Sequence, residues 1–501
     1  MDLDEITISQ LLDALRSGRS TSHALVQQYL GRIEANDHAG AGLHALIETN
    51  PDALQLADAA DAERRAGRVR GALHGIPVLI KDNIDTADRM HTGAGSLALA
   101  DSTPARDAFI AAKLREAGAI ILGRTNMSEW ANFRSTHSSS GWSGRGGQCR
   151  NPYVLDRSPS GSSSGTGAAI AANFAAVGIG TETDGSVTSP AAACSLAGLK
   201  PTVGLVSRAG IVPIAHSQDT AGPMARTVQD LAILLDAMTG EDPRDAATRG
   251  NASHTQASYA AALDPNGLAG LRLGVARKRY TGYNDALDRV FEDALRALKD
   301  HGAVIVDPAD ITTEDHIHGE ETTVLLYEFK ADLNKYLAGL GPDSAVKSLA
   351  DVIAFNERER ARSMPFFAQE LMVRAQAKGP LTSPEYLRAR ATCVRFSRAL
   401  GIDAVMVRHR LDAIVCPTQA PTWPIDLVNG DASGGNCTTP AALAGYPHIT
   451  VPMGFVLGLP VGLSLFGKKW SEAVLLKAAF TFEQATRARR PPRFLPTAPT
   501  S

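Results

Sequence analysis

The chain has 501 residues, of which 50 are Lys or Arg and 53 are Asp or Glu, so its formal net charge is −3 at pH 7. This balance gives no reason to expect nucleic acid or an anionic membrane as a partner. Hydrophobic residues make up 44% and charged residues 21% of the chain, which is typical of a globular protein. No apolar run approaches the roughly 18 residues that a membrane span requires.

The start of the chain and its cysteines predict a cytoplasmic protein. The first residues, MDLDEITISQ, are acidic and lack the basic-then-apolar order of a signal peptide. The cysteines are odd in number, scattered and free of any C-x-x-C, which favours reduced thiols over disulfides or a zinc site. They are Cys149, Cys194, Cys393, Cys416 and Cys437.

The sequence contains no pattern that indicates a metal or a cofactor. His316 and His318 form the only close histidine pair. Two such residues in a charged segment lie more often on a solvated surface than on a metal. We therefore expect a protein that works with neither.

Residues 1–65 predict helices. Ser20, Thr21 and Ser22 offer caps for an amphipathic segment that runs to about Glu34. Pro51 begins another helical segment. Nothing here indicates chemistry, so we expect an N-terminal helical segment that packs on the core.

A different pattern begins at Leu73. Residues 73–80 form a short apolar run that ends abruptly at Lys81, as in strands that are buried on both faces of a mainly parallel sheet. Ligands of such sheets gather at the carboxyl ends of the strands, which makes Lys81 a candidate functional residue. From this lysine alone, a side chain that merely emerges into solvent is an equally good interpretation.

Helix and strand patterns then alternate. We predict a helix near residues 107–117, a strand at 119–122 and a helix near 127–133. The polar loop of residues 134–151 follows, and a loop longer than about 15 residues inside a compact domain is usually functional or disordered. We interpret it as a rim that faces the substrate.

The stretch of residues 158–190 carries the clearest functional signal. A Ser/Gly run at 158–167 precedes an Ala-rich helix at 168–176, an apolar run at 177–179 and a second small-residue loop at 181–186. Two hydroxyl-rich loops around one helix suit a polar reaction that is enclosed by close backbone contacts. A flexible linker is the alternative, but no charge block or domain break adjoins the run. A phosphate loop is disfavoured because no Gly-Lys-Ser/Thr follows the glycines.

The second half of the chain continues the alternation. We predict a helix that Thr227 caps and that ends at Gly240, a βαβ unit over residues 271–306, and long helices over 318–410. Strand-like runs return at 411–416, 449–453 and 461–466, before a last helix at 472–484. With no internal repeat, this pattern predicts one large α/β domain.

Lys81, Ser162 and Ser186 together resemble the pattern of the amidase signature family. In that family a lysine follows an apolar strand and two serines lie 24 residues apart, as Ser162 and Ser186 do here. The resemblance extends over roughly residues 73–490 and is closest to the peptide amidase branch. The segments that carry it are GIPVLIKDNIDT, LGRTNMSEWANFR, GWSGRGGQCRNPY, GTETDGSV, GLKPTVGLVSR, SQDTAGPMAR, LLYEFKADL and TRARRPP.

The resemblance implies a Ser-Ser-Lys triad. Ser186 is then the nucleophile, Ser162 is the bridging serine after a cis peptide bond, and Lys81 is the general base. The N–H groups of Thr183, Asp184, Gly185 and Ser186 form the implied oxyanion hole. A neutral lysine can activate serine if burial lowers its pKa from about 10.4 towards 7–8.

The resemblance also implies the fold, the activity and the partners. The expected fold is α/β, the amidase signature fold, a single large domain with a mixed, mostly parallel central sheet covered by helices on both faces. Its catalytic domain would span residues 66–490, followed by a tail at 491–501. The expected activity is hydrolysis of C-terminal peptide amides or related small amides, by a monomer or homodimer without nucleic acid or membrane partners.

The second hydroxyl-rich loop departs from the commoner pattern of the wider family. Many members read Asp-x-Gly-Gly-Ser where this chain reads Glu182-Thr183-Asp184-Gly185-Ser186. A carboxylate at Asp184 would repel an oxyanion if it faced inward, so we expect it to point away and to contribute only its N–H. The substrate stays open between primary amides, aryl amides, esters and carbamates, because all share the acylation step.

Two rival functions stay open at this point. Residues 161–165 satisfy the G-x-S-x-G motif of α/β-hydrolases with Ser163 as nucleophile, and His216 or His448 would be its partner. That motif needs a strand directly before it, and the preceding segment is turn-like. The other rival is one component of a partner-dependent amidotransferase, which would need a second protein that channels ammonia.

Overall fold

The computed structural model describes residues 1–317, 319–342 and 344–499. His318 of the predicted histidine pair lies outside the described residues, as do the last two residues of the predicted tail. His316 is exposed and stacks on Phe396. All five cysteines are buried and free, as predicted.

The strands of the described residues are β1 (Leu46–Thr49), β2 (Pro77–Lys81), β3 (Ile120–Thr125), β4 (Trp142–Ser143), β5 (Gly147–Gln148), β6 (Val177–Glu182), β7 (Ala197–Lys200), β8 (Thr220–Ala225), β9 (Arg272–Val275), β10 (Val304–Val306), β11 (Ala413–Pro417), β12 (His448–Val456) and β13 (Leu459–Phe466). The helices are α1 (Ile8–Arg16), α2 (Ser22–Ile33), α3 (Ala53–Arg65), α4 (Phe109–Glu116), α5 (Ser164–Ala171), α6 (Thr188–Ala193), α7 (Val228–Met238), α8 (Asp285–Asp300), α9 (Glu320–Ala338), α10 (Leu349–Arg358), α11 (Arg360–Ser363), α12 (Glu370–Gln376), α13 (Pro384–Ser397), α14 (Asp403–His409), α15 (Thr439–Ala444) and α16 (Glu472–Thr486).

Eleven of these strands form one sheet in the described part of the chain. Its order is β1-β3-β2-β6-β8-β7-β12-β13-β11-β9-β10, and β4 and β5 form a separate hairpin. The parallel pairings are β3-β2-β6 on one flank and β11-β9-β10 on the other. The pairings between these flanks are antiparallel, as is β1 with β3. The predicted mixed sheet in a single large domain is confirmed, and its parallel character is concentrated in the two flanks.

Burial shows why helices must cover both faces of this sheet. Every residue of β2, β6 and β13 is buried, and successive side chains of a strand point to opposite faces. Such strands read as continuous apolar runs, which is why the sequence predicted them. Among the described residues, no helix is both long and apolar enough to cross a membrane.

Three local predictions need correction. Residues 1–65 are not all helical, because they include the edge strand β1, which pairs with β3. Residues 127–133 are not a helix, since Trp130, Ala131 and Asn132 have positive φ angles in a tight turn. The helix predicted at 168–176 begins earlier and ends earlier, as α5, because the serines and glycines of the Ser/Gly run form its first turns.

Candidate active site

Lys81 ends strand β2 and is fully buried. Its Nζ atom donates to Ser162 Oγ at 2.8 Å, to the carbonyl oxygen of Thr181 at 3.2 Å and to Thr181 Oγ1 at 3.0 Å. Asn83 Nδ2 donates to the same Thr181 hydroxyl at 2.9 Å. The lysine therefore points at the first hydroxyl-rich loop, and the interpretation as a solvated strand-end charge is wrong.

Burial lowers the pKa of Lys81 from its usual value near 10.5 to about 7. Glu182 and Asp219 act in the opposite direction, since nearby carboxylates favour the ammonium form. The net result is an amine that is largely neutral at slightly alkaline pH and can accept a proton. This is the property that a general base requires.

The neighbouring Asp82 is held by other groups. Its carboxylate accepts from Arg145 Nη1 at 2.9 Å and from the N–H of Gly95 at 2.8 Å. Because Asp82 has these partners, it does not need Lys81 as a counter-ion. Lys81 Nζ therefore remains available for its contact with Ser162.

Ser162 contacts Lys81 and directly precedes Ser163, which contacts the Thr183–Ser186 loop. Its side chain is buried, and the peptide bond between Gly161 and Ser162 is cis, as the family resemblance implies. The carbonyl oxygen of Ser162 accepts from the N–H of Ser128 at 3.1 Å. The next residue connects the Ser/Gly run to the Thr183–Ser186 loop, since the N–H of Ser163 donates to the carbonyl oxygen of Ser186 at 3.1 Å.

Ser186 follows β6 on a short loop and lines a cavity. It is 9% exposed, unlike the deeply buried Lys81 and Ser162. Within the described residues its Oγ makes no hydrogen bond, so the hydroxyl is free to meet a ligand in the cavity. Lys81 and Ser162 are in hydrogen-bond contact, and Ser186 is joined to the Ser162 loop through the N–H of Ser163.

The loop from Thr183 to Ser186 is held from both ends. Glu182 Oε2 accepts from the N–H groups of Val187 and Thr188 at 2.8 and 2.9 Å, which satisfies donors at the start of α6. Gly185 has a φ of +76°, and a Cβ there would lie 2.9 Å from Ser189 Oγ, so glycine is required.

The backbone N–H groups of Asp184, Gly185 and Ser186 have no hydrogen-bond acceptor within the described chain. They lie between β6 and α6, outside both hydrogen-bond ladders, next to the cavity that Ser186 lines. Free N–H groups beside a nucleophile are the donors that an oxyanion needs. Thr183 anchors the loop, because its hydroxyl donates to Asp219 Oδ1 at 2.6 Å.

The side chain of Asp184 is held by the start of α15. Its Oδ2 atom accepts from Thr439 Oγ1 at 2.7 Å, and burial raises its pKa. That the carboxyl group points away from a bound oxyanion stays a prediction. Asp184 nevertheless forms part of the cavity wall.

Ser163, the nucleophile of the rival α/β-hydrolase interpretation, has structural contacts. Its hydroxyl donates to the carbonyl oxygen of Thr181 at 3.1 Å and accepts from the N–H of Thr181 at 3.2 Å. The candidate histidines lie elsewhere: His216 pairs with Asp332, and His448 contacts Ser464. Neither contacts Ser163.

The cavity that Ser186 lines has a volume of about 290 Å³. The loop at 134–151, predicted as a rim that faces the substrate, contributes Ser140, and α9 contributes Leu325. The sequence patterns did not reveal the segment between β11 and α15, which supplies much of the wall. Its contributions are Gln419, Ala420, Trp423, Asp431, Ser433, Gly434, Gly435, Asn436 and Thr438. Its length was the available sequence signal, because a long loop inside a compact domain is usually functional or disordered.

Two further features lie outside this cavity. A larger cavity of about 620 Å³ is lined by Asn83, Thr181 and Thr183, but not by Lys81, Ser162 or Ser186. The described residues also bring His216, Glu328 and Asp332 close enough to hold a metal ion. Hydrogen bonds already use these ligand atoms, because His216 Nδ1 lies 2.8 Å from Asp332 Oδ2 and Ser217 N donates to Glu328 Oε2.

Comparison with known proteins defines the family. The family model described as Amidase matches residues 24–476, so the chain belongs to the amidase signature family and hydrolyses amide C–N bonds. It is 42% identical to a probable amidase of Arabidopsis thaliana, over 98% of this chain and 92% of that protein. It is also 34% identical to one subunit of the glutamyl-tRNA(Gln) amidotransferase of Moorella thermoacetica, over 98% of each chain.

A solved structure gives a closer comparison. The native peptide amidase of Stenotrophomonas maltophilia superposes with a TM-score of 0.94 and 49% sequence identity, over 98% of this chain and 99% of that chain. This similarity confirms the amidase signature fold that the sequence predicted and the resemblance to the peptide amidase branch.

Proposed function

We propose that the protein hydrolyses the C-terminal carboxamide of peptides, or related small primary amides, through an acyl-enzyme on Ser186. The observation that carries this proposal is the contact of 2.8 Å between the buried Lys81 Nζ and Ser162 Oγ, beside the cavity that Ser186 lines. A buried amine with a pKa of about 7 is a base for serine in a site where no histidine of the described residues contacts the serines.

In the acylation step, Ser186 Oγ attacks the amide carbonyl carbon. Its proton passes to Ser162 Oγ, whose own proton moves to the neutral Lys81 Nζ. The carbonyl oxygen becomes negative and accepts from the free N–H groups of the Thr183–Ser186 loop. No charged side chain other than the lysine has to change its protonation state.

The tetrahedral intermediate then breaks its C–N bond. The protonated Lys81 returns a proton through Ser162 to the leaving nitrogen, which departs as ammonia or an amine. Water attacks the acyl-enzyme by the same relay and restores the Ser186 hydroxyl. These steps use neither a metal nor a cofactor, so exhaustive chelation should leave activity unchanged.

The peptide amide substrate is supported by the similarity to a peptide amidase over nearly the whole of both chains. A cavity of about 290 Å³ suits the end of a peptide or a small amide better than a folded partner. Aryl amides, esters and carbamates form the alternative substrate class. A role within a partner-dependent amidotransferase is disfavoured, since the amidotransferase relative is 34% identical against 49% for the peptide amidase.

The test uses the purified chain alone, with matched serine variants. We expect ammonia release from C-terminally amidated peptides, and Ser186→Ala should lower kcat by several orders of magnitude while folding is kept. Ser163→Ala is the control, because the hydroxyl of Ser163 hydrogen-bonds only to Thr181 among the described residues, so the variant should keep measurable activity. Mass spectrometry should find the acyl group on Ser186.

Two results would contradict the proposal. Activity in Ser186→Ala together with an inactive Ser163→Ala would revive the α/β-hydrolase interpretation. Ammonia release that requires an added protein would support the partner-dependent amidotransferase. A kcat/KM ranking of peptide amides, anilides, esters and carbamates decides the substrate class, and size-exclusion chromatography tests the expected monomer or homodimer.

A further inference from the structure

Two carboxyl groups meet in the wall of the Ser186 cavity. Asp184 belongs to the nucleophile loop and Glu321 to the first turn of α9, and both line the cavity. The two carboxyl groups lie close enough for each to shift the pKa of the other. Since α9 belongs to the helical region after β10, this contact joins the catalytic loop to a distant part of the chain.

The remaining partners of the two groups are fixed. Asp184 Oδ2 accepts from Thr439 Oγ1 at 2.7 Å, and Glu321 Oε1 accepts from Gln218 Nε2 at 3.0 Å. Asp184 Oδ1 is buried, and the described residues supply it with no conventional donor. A buried acceptor without a donor is costly. A proton on Glu321 would supply the missing donor.

The surroundings favour that proton. Burial and the adjacent Asp184 raise the pKa of Glu321 well above its usual value. Glu182 on β6 adds a further negative charge near Asp184, Lys200 on β7 opposes it, and Cys393 on α13 faces Glu321. The position in the first turn of a helix favours the carboxylate, but two carboxylates in contact cannot readily both ionise.

We propose that Glu321 stays protonated and donates a hydrogen bond to Asp184, and that this bond positions the loop carrying Ser186 and the free N–H groups. Glu321 is thus a positioning residue for the proposed amide hydrolysis, on which this inference rests. When Glu321 ionises, like charges push α9 and the loop apart. The oxyanion donors and Ser186 then leave their productive geometry, and kcat falls more than KM rises.

The test compares Glu321→Gln, Glu321→Ala and the control Glu320→Gln. Glutamine copies the protonated carboxyl, because it can donate to Asp184 and still accept from Gln218. We expect Glu321→Gln to keep kcat within a few-fold and to abolish a fall in rate at alkaline pH that the wild type shows. Glu321→Ala should lower kcat at least tenfold. Glu320→Gln removes a charge from the same turn outside the cavity wall and should match the wild type.

Two further measurements do not depend on the identity of the substrate. A fluorophosphonate probe reports the reactivity of Ser186, and its rate of attachment should follow the same order among the variants. Infrared difference spectra of the wild type minus Glu321→Gln should contain the C=O stretch of a protonated carboxyl group. The spectrum of the wild type minus Glu320→Gln should lack it.

Three results would overturn the inference: an unaltered kcat in folded Glu321→Ala, a Glu321→Gln profile with the alkaline fall of the wild type, or absence of the infrared band. A wild type that reacts with the probe but cleaves no peptide amide would instead overturn the proposed substrate. A wild-type Ser186 that does not react would overturn the proposed nucleophile, while the infrared band still reports on the carboxyl pair.

Discussion

At the scale of single residues, the position of Lys81 decides what the site can do. Its amine is fully buried and reaches only hydroxyl and carbonyl oxygens, with Ser162 Oγ at 2.8 Å. Hydroxyl and carbonyl dipoles stabilise an ammonium ion less than a contacting carboxylate would, so burial wins and the pKa falls to about 7. An ion pair with Asp82 would have kept this lysine charged.

The residue-scale prediction concerns the acidic limb of the pH profile, which is the fall of kcat/KM at low pH. A lysine whose folded-state pKa is lowered is active as a base only above that pKa, so kcat/KM should fall as the pH drops through about 7. Lys81→Ala should lose most of its activity, and the fall of kcat/KM at acidic pH should disappear. Lys81→Arg should not recover activity, since guanidinium remains protonated. Kinetics across pH on folded variants measure this, and an active Lys81→Arg with an unchanged limb would remove Lys81 from the mechanism.

At the scale of elements, the end of β6 and the start of α6 form one unit. Glu182 is the last residue of β6, and its Oε2 accepts from Val187 N, Thr188 N and Thr188 Oγ1. By satisfying these donors, it closes the turn that leaves the N–H groups of residues 184–186 unpaired. Its charge also opposes the lowering of the Lys81 pKa by burial. One side chain thus holds the Thr183–Ser186 loop and opposes the lowering of the Lys81 pKa.

The element-scale prediction separates these two roles. Glu182→Gln keeps an oxygen acceptor but removes the charge, so the pKa of Lys81 should fall and the acidic limb should move to lower pH. Glu182→Ala leaves buried donors unpaired and should lower the free energy of unfolding by roughly 3 kcal/mol. Urea unfolding and pH profiles measure these effects. Equal stability of the two variants would show that the oxygen acceptor has no effect separate from the charge, and an unmoved acidic limb in Glu182→Gln would show that the charge does not affect Lys81.

At the scale of the whole molecule, the N-terminal segment is part of the main core. Buried residues from Leu3 to Ala57 join the same hydrophobic cluster as the central strands. Strand β1 extends the sheet beside β3, and Asn50 donates from its side chain to the carbonyl oxygen of Ile121 at 2.8 Å. The predicted boundary at residue 65 therefore marks a change in sequence pattern, while the residues on both sides of it pack into one hydrophobic core.

The whole-molecule prediction is that residues 1–65 cannot be removed. Their deletion would expose the edge of β3 and a large apolar surface, so the remainder should be insoluble or unfolded by circular dichroism. Deletion of Met1 and Asp2, which are exposed, is the control and should leave the thermal unfolding temperature unchanged. A soluble, cooperatively folding remainder would show that the segment is separable.

The sequence by itself determined the parts of this protein that depend on local pattern. Lys81 was found because a buried strand is a continuous apolar run that ends where a charge begins. Ser162 and Ser186 were found because their spacing, in loops of small hydroxyl residues, resembles the amidase signature family. One large α/β domain followed from alternating strand and helix patterns, since periodicity records which faces of an element are buried, and the family resemblance implied the mixed sheet.

Only the tertiary structure decided the features that join distant segments. The turn at Trp130 and Ala131 overrides a helical pattern, because Glu129 is held by Arg134 at 2.5 Å and by the N–H of Gly144. The cavity wall at residues 419–438, the contact of Glu321 with Asp184 and the pairing of β1 with β3 follow no local periodicity. Each depends on long-range packing, and local residue patterns do not record which distant elements come into contact.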